Sequence, residues 1–372
     1  MPEHTITTKN AAREQAVRIV KRKELNTWKA VLLRAAAFVL ALAAGGIFIL
    51  MMGSNPLEAY AIIVKGAFVG SVRNPLSSIQ ATVIIAVPLL IVSLGLAFAF
   101  KMKFWNIGAE GQMIAGAIFA SYFALRHSGM PHVLLLLTMF AAGAAGGGLW
   151  GLIPALFKVR FGTNETLFTL MLNYIALYFI KYLESGPWQG TKGFASIAQF
   201  DLNARLPNIG GVHAGWIVAL MLVVLTYLYL NHSKHGYEIS VVGESQATAR
   251  YAGMNVRRII LRTMFISGAV CGIAGMIQVS GIDYTLSMGI TGGVGFKGIT
   301  VAWLAQLNPF VIAGITGIFS ILEKGSGVLQ SELGINAAMT GVLEGIILFF
   351  FLGCEFFIRY SFVFRKRRAK SS

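Results

Sequence analysis

Apolar residues run through this chain in long unbroken blocks, and polar residues gather in short stretches between them. The blocks at 30–53, 79–100, 132–157, 215–230 and 338–357 approach or exceed the roughly 20 residues that a helix needs to cross about 30 Å of hydrocarbon. None shows the two-residue alternation of an outer-membrane barrel strand. Backbone groups in lipid have to be satisfied within the segment, so the blocks predict α-helices. The expected fold is all-α: a polytopic integral membrane protein of about ten transmembrane helices, including short or re-entrant segments.

Threading places spans at about 30–53, 77–100, 106–125, 132–157, 165–183, 213–230, 259–281 and 338–358. Between the last two lie two short, Gly-interrupted segments, 286–306 and 309–323, separated by Asn308-Pro309. They form either a helix pair or a re-entrant hairpin. Residues 54–76, with Pro56 and Pro75, and the polar stretch 184–212 fall outside. With the N-terminus inside, most of the 31 lysines and arginines land on the cytoplasmic side, including Lys101, Lys103, Lys158, Arg160 and Lys234. Three regions follow: a basic cytoplasmic segment 1–29, a transmembrane domain 30–358 and a basic cytoplasmic tail 359–372. The location is the cell inner (plasma) membrane, with both ends cytoplasmic. The first block has no small-residue cleavage site after it and is read as a retained helix.

Composition changes this picture little. Hydrophobic residues make up 56% and charged ones 12%, outside the balance of a soluble domain. The net charge of +16 follows the loops and ends, where it suits anionic membrane lipid. No aromatic-basic interleaving points to nucleic acid. Cys271 and Cys354 both lie in apolar blocks, which argues against a disulfide or a metal site, and His232 and His235 have no acidic or cysteine companions. No nucleophile and base stand together, so no enzyme is expected.

Two short stretches resemble each other. Phe157-Lys-Val-Arg-Phe-Gly162-Thr-Asn164 and Leu329-Gln-Ser-Glu-Leu-Gly334-Ile-Asn336 each lie between long helices, the first inside and the second outside. They suggest an inverted internal repeat of the kind found in transporters, or two ordinary turn-and-cap junctions.

Three stretches are candidates for function. Asn106-Ile-Gly-Ala-Glu110-Gly-Gln112 puts a carboxylate and two amides beside a span, either at membrane depth or at the interface, where Glu110 would simply favour a helix N-terminus. Gly289–Gly298 is too glycine-rich for a stable helix and reads as an unwound cavity wall or as close helix packing. The cytoplasmic stretch 236–258 holds a short helical pattern between Glu244 and Tyr251, stopped by Gly253, and suits the docking of a partner better than a solvated loop. No Gly-x-x-x-x-Gly-Lys-Ser/Thr loop occurs, so the chain is not expected to bind ATP itself.

The same residues carry a resemblance. Asn106-Ile-Gly-Ala-Glu-Gly-Gln, Gly243-Glu-Ser-x-x-x-Ala-Arg-Tyr-Ala-Gly-Met-Asn-Val and Gly295-Phe-x-Gly-Ile-x-Val-Ala-x-Leu-x-x-x-Asn308-Pro309 are similar to permease subunits of ATP-binding-cassette importers in the branched-chain amino-acid/ribose permease superfamily. Within it they most resemble nucleoside-type permeases that work with basic-membrane-protein-family binding lipoproteins. The resemblance implies an ATPase partner that hydrolyses ATP, a second homologous permease (as hetero- or homodimer) and an extracytoplasmic solute-binding lipoprotein. It makes 236–258 the coupling segment, with Gly243, Glu244, Ala249, Arg250, Gly253, Arg257 and Arg258 meeting the ATPase. Asn106, Glu110, Gln112, Asn173, Phe296 and Asn308 are the expected substrate pathway, most plausibly for nucleosides. Simple sugars, riboflavin or an ion-coupled secondary mechanism are the alternatives. Ser245 stands where the family pattern has Asn, and Lys297 sits in the Gly-Phe-x-Gly stretch, where it leaves the pore chemistry open.

Overall fold

The computed structural model describes residues 17–21, 27–72, 74–190, 193–334 and 337–364. In chain order the elements are strand β1 (Val17–Lys21), helices α1 (Thr27–Met51), α2 (Pro56–Phe68), α3 (Ser77–Lys101), α4 (Ala109–Arg126), α5 (His132–Phe161) and α6 (Glu165–Ser185), and strands β2 (Asn208–Ile209) and β3 (Val212–His213). Helices α7 (Gly215–His232), α8 (Lys234–Glu244), α9 (Gln246–Tyr251), α10 (Val256–Gln278), α11 (Val294–Leu304), α12 (Pro309–Leu333) and α13 (Ala337–Arg359) follow, and then strand β4 (Tyr360–Phe364).

The chain falls into two compact units, Leu57–Thr340 and the segments on either side of it. In the flanking unit β1 pairs antiparallel with β4, Val17 opposite Phe364 and Lys21 opposite Tyr360. The two basic ends therefore contain a short ladder, while Lys9, Arg13, Arg22, Lys23 and the run from Arg365 lie outside the described residues.

The helical fold matches the apolar blocks closely. Among the described residues, α3, α5, α6, α7, α10 and α12 are long and apolar enough to cross a membrane. The expected ten also counted the stretches that form α1, α4, α11 and α13. Residues 56–68 are a helix, not a polar connection, because Ala59, Ile63, Gly66 and Ala67 share a buried face despite Glu58 and Lys65.

The larger unit is built on α3, α4, α5 and α10, and small residues bring these helices together. A Cβ at Gly272 of α10 would overlap the Gly143 carbonyl of α5, and one at Gly116 of α4 would overlap the Gly272 backbone. Gly147 and Gly268 exclude each other's Cβ in the same way. Lipid supplies no hydrophobic drive between helices, so close backbone approach and its dispersion energy hold such a seam.

The unit has two ends. At one, Lys101 Nζ donates to the Leu230 carbonyl (3.0 Å), joining the last turns of α3 and α7, and a Cβ at Gly243 of α8 would overlap the Lys101 carbonyl. At the other, Gln80 of α3 donates to the Gly210 carbonyl in the β2–β3 turn (3.0 Å), and His132 of α5 meets the Asn203 carbonyl (2.9 Å). The two similar stretches fall at opposite ends. α5 stops at Gly162 and α12 at Gly334, both in the left-handed conformation, with φ of 67° and 66°. In the first, Asn164 caps α6 by accepting from the Thr166 and Leu167 amides; Asn336 lies outside the described residues.

Two predictions follow from the packing. Replacing Gly272 with Val should cost about 1–3 kcal/mol by overpacking, a fall of several degrees in the midpoint measured in detergent. Gly314→Ala, where a Cβ meets open space, should leave the midpoint unchanged. Equal effects would show that the seam is not tight.

His213 in β3 is buried against Gly215 and Gly281, and neither ring nitrogen has a hydrogen-bond partner in the protein. Burial pushes its pKa down to about 4. The unfolded chain therefore takes up a proton below about pH 6.5 that the folded chain refuses, and stability falls as pH drops from there toward 4. Thermal scans at pH 7.5 and 5 should show a smaller acid-induced loss in His213→Leu than in the parent.

Candidate functional site

The connection from α3 to α4 turns at Lys103, whose φ is 57°, and then runs Phe104–Gly108 into α4. Asn106 is fully buried. Its Oδ1 accepts from the Gly108 amide at 2.9 Å, and its Nδ2 donates to Gln112 Oε1 at 3.2 Å. Gln112 Nε2 returns to Asn106 Oδ1 at 3.4 Å. From α6, Asn173 accepts from the Gly111 amide at 2.8 Å and donates to the Ile107 carbonyl at 2.9 Å. Thr169, one turn earlier, accepts from the Ile107 amide at 3.1 Å. The first amides of a helix have no partner of their own, and within this bundle Asn173 supplies one from another helix. Four of the expected pathway residues thus meet in one place, and three of them, Asn106, Gln112 and Asn173, hold the loop in shape.

Glu110, the fourth, does something different. Its carboxylate is buried at the start of α11, accepting from the Gly295 amide at 2.7 Å, with the Thr291 hydroxyl and the Gly293 amide also bonded to it. An anion at this point opposes the positive end of the helix dipole and satisfies orphan donors. Gly293 has φ of 77°, and a Cβ at Gly295 would lie 2.5 Å from the Glu110 nitrogen, so both glycines are needed for the carboxylate to come this close.

The Gly-rich stretch is therefore split. α10 ends in a π turn at Val279–Asp283, and residues 284–293 are irregular. There Glu184 of α6 accepts from the Met288 amide at 3.2 Å. The Gly295–Gly298 portion, expected to be unwound, opens a helix. Gly298 lets α11 lie against Val92, Ser93 and Leu96 of α3. α11 spans about 16 Å, half a bilayer core. Lys297 pairs with Glu323 of α12 (3.0 Å), so the lysine within the Gly-Phe-x-Gly stretch joins two helices.

Phe296 is exposed on α11, and Asn308 caps α12 by accepting from the Phe310 amide at 3.1 Å. Asn308 lies apart from the buried network. Sequence reasoning passed over an aromatic group at the far end of α11: Trp105 and Trp303 stack with centroids 5.3 Å apart and planes at 21°, and Phe100 lies 5.3 Å from Trp303. Trp105 leaves half of its surface open.

At the same end of the unit, three side-chain caps fold 233–258 into short steps. Ser233 Oγ accepts from the Gly236 amide at the start of α8, Ser245 Oγ from Thr248 at α9 and Asn255 Oδ1 from Arg258 at α10. The short helix expected between Glu244 and Tyr251 is α9, and α8 is a further helix in front of it. Glu238 bonds Arg262 at 2.8 Å, and that guanidinium holds the Glu238 carboxyl below the usual carboxylate range, so the α8–α10 tie is fully formed at neutral pH. Gly243 and Ala249 are buried on the protein side. Glu244, Arg250, Tyr251 and Gly253 face out, Tyr251 at 94% exposure. Both cysteines are free and buried, and no group of metal-ligating side chains occurs among the described residues.

The chain is 30% identical over 354 residues to the glucose ABC transporter permease protein TsgB13 of Haloferax volcanii, covering 91% of each. It is 32% identical over 321 residues to the guanosine ABC transporter permease protein NupP of Bacillus subtilis, covering 84% of this chain and 90% of that one. With the nucleoside ABC transporter permease protein NupB of Lactococcus lactis it shares 29% over 338 residues, covering 87% and 91%. Residues 78–352, which include α3 to α12 and the whole Glu110 network, match the family model of the branched-chain amino acid transport system permease component, and the chain belongs to that family.

Proposed function

We propose that this membrane permease forms one wall of the translocation pathway of an ATP-driven importer of nucleosides. The observation that carries the reading is the half-length helix α11, whose buried start is held by Glu110. Broken helices with charged or polar groups at their inner ends are the usual way in which membrane transporters build a solute path, and a lipid-facing structural helix has no use for one. Two of the three relatives above are named for guanosine or nucleoside transport. Phe296 and the open face of Trp105 offer flat surfaces to a purine or pyrimidine. The glucose relative keeps sugars as the competing substrate class.

In this reading the end of the unit bearing α8 and α9 is cytoplasmic and receives the ATPase through Glu244, Arg250, Tyr251 and Gly253. A second permease completes the pathway, and a binding lipoprotein delivers solute to the opposite end. The pairing of β1 with β4 supports both chain ends lying on one side. A mechanical route leads inward from the docking face. Gly243 rests on the last turn of α3, Phe100 in that turn packs on Trp303, and Trp303 belongs to α11. ATP-driven movement of α8 and α9 therefore reaches the half-helix through two contacts. Asn106, Gln112 and Asn173 fix the frame against which α11 moves, and Asn308 sets the start of α12.

Charge reversal at Arg250 combined with Tyr251→Ala should reduce co-purification of the ATPase several-fold while leaving the thermal midpoint intact; undiminished assembly and transport would remove α9 from the coupling surface. Glu110→Gln keeps the shape and one acceptor but loses the charge. Loss of a charged hydrogen bond of about 1.5–3 kcal/mol should slow uptake about 10- to 100-fold with assembly preserved. A normal rate in Glu110→Gln would show that the carboxylate is not part of the transport cycle. Competition of labelled nucleoside uptake by excess glucose separates the two substrate classes: nucleosides should compete, glucose should not.

A further inference from the structure

Arg257 and Arg258 are the last residues of the expected docking segment, and both are exposed beside a groove. A groove of about 570 Å³ runs between α5 and α10, and both arginines stand at its rim. Its walls are Leu152 and Leu156 of α5 and Leu261 and Phe265 of α10. We infer that this groove holds an anionic phospholipid, its phosphate on Arg257 and Arg258 and an acyl chain along the leucines and Phe265.

Charge and depth together support this occupant. Both arginines are exposed, and neither forms an ion pair among the described residues. Glu238, the carboxylate of this region, is taken by Arg262, a third guanidinium lining the same groove. Asn255 caps α10 through the Arg258 amide, so the guanidinium groups also sit at the positive end of a helix. On α5, half a turn past Leu156, Lys158 is matched by Glu165 at 2.6 Å, so the unmatched positive charge lies on α10.

The apolar lining begins where the charges stop. From Arg258 to Phe265 is seven residues of helix, about 10 Å along the axis, comparable with the distance from a lipid phosphate into the upper acyl chain. Leu156 is half-exposed and Phe265 partly so. A free phosphate would use only the rim. The walls belong to α5 and α10, helices long and apolar enough to cross a membrane, and their leucines and Phe265 give a polar ATPase surface nothing to pair with. A two-part ligand, anionic at one end and aliphatic at the other, uses the entire groove.

The test uses the full-length protein, delipidated in detergent and titrated with dioleoyl phosphatidylglycerol or dioleoyl phosphatidylcholine. Native mass spectrometry and the thermal midpoint are read together. Phosphatidylglycerol should be retained and should raise the midpoint, and phosphatidylcholine should do neither. In R257Q/R258Q the apparent affinity for phosphatidylglycerol should fall roughly 10- to 30-fold, while R257K/R258K keeps a preference for it. Equal retention of the two lipids by the parent protein overturns the proposal, as does an unchanged preference in R257Q/R258Q. A midpoint shift reproduced by inorganic phosphate would make the occupant a free anion. Loss of ATPase co-purification in R257Q/R258Q with the lipid preference intact would assign the pair to the docking surface instead.

Discussion

A helix that starts inside a membrane bundle exposes its first amides to a place where water cannot reach them. In this protein the Glu110 carboxylate resolves that problem for α11, accepting from the Gly295 amide at 2.7 Å. Much of the surrounding unit is arranged so that this bond can form. Gly293 and Gly295 allow the approach. Asn106, Gln112, Asn173 and Thr169 fix the turn that presents Glu110, drawing on α4 and α6. The glycine seam of α4, α5 and α10 then holds α4 rigidly enough for the carboxylate to stay in place. An unpaired carboxylate at this depth would cost several kcal/mol, so the cap and the half-helix have to be present together.

Closeness is the second constraint. Helices in lipid gain little from burying leucine, and backbone contact through small residues takes over that role. The same device appears at Gly243, where α8 lies directly on the end of α3. From there the packing of Phe100 on Trp303 leads to α11, so a movement at the α8–α9 surface has no flexible linker in which to be absorbed.

Much of this fold was legible from the chain alone, and the failures have physical causes. The long spans show in the apolar blocks because lipid imposes length and composition together. Gly162 with Asn164, and Asn308 with Pro309, announce their junctions because left-handed glycines and Asn caps act locally. α2 was missed because its buried face is small and interrupted by charge. Gly289–Gly298 reads equally as unwound backbone or as close packing because glycine serves both, and here Gly295 and Gly298 serve neighbours on α4 and α3. The site was half visible. The residue types of Asn106 to Gln112 marked it, but the partners that define their roles stand far along the chain: Asn173 lies 62 residues from Gly111, and Gly295 lies 185 from Glu110. Asn106 and Gln112 bind each other and Asn173 binds the backbone of the turn between them, which spacing does not reveal.

The central claim is that solute crosses beside α11 and that a partner's ATP hydrolysis drives it. Proteoliposomes containing the complete complex, with binding protein on the outside and ATP trapped within, test this directly. The account predicts nucleoside accumulation that needs internal ATP and persists when ionophores collapse all ion gradients. Accumulation without ATP, driven by a proton or sodium gradient, would contradict it.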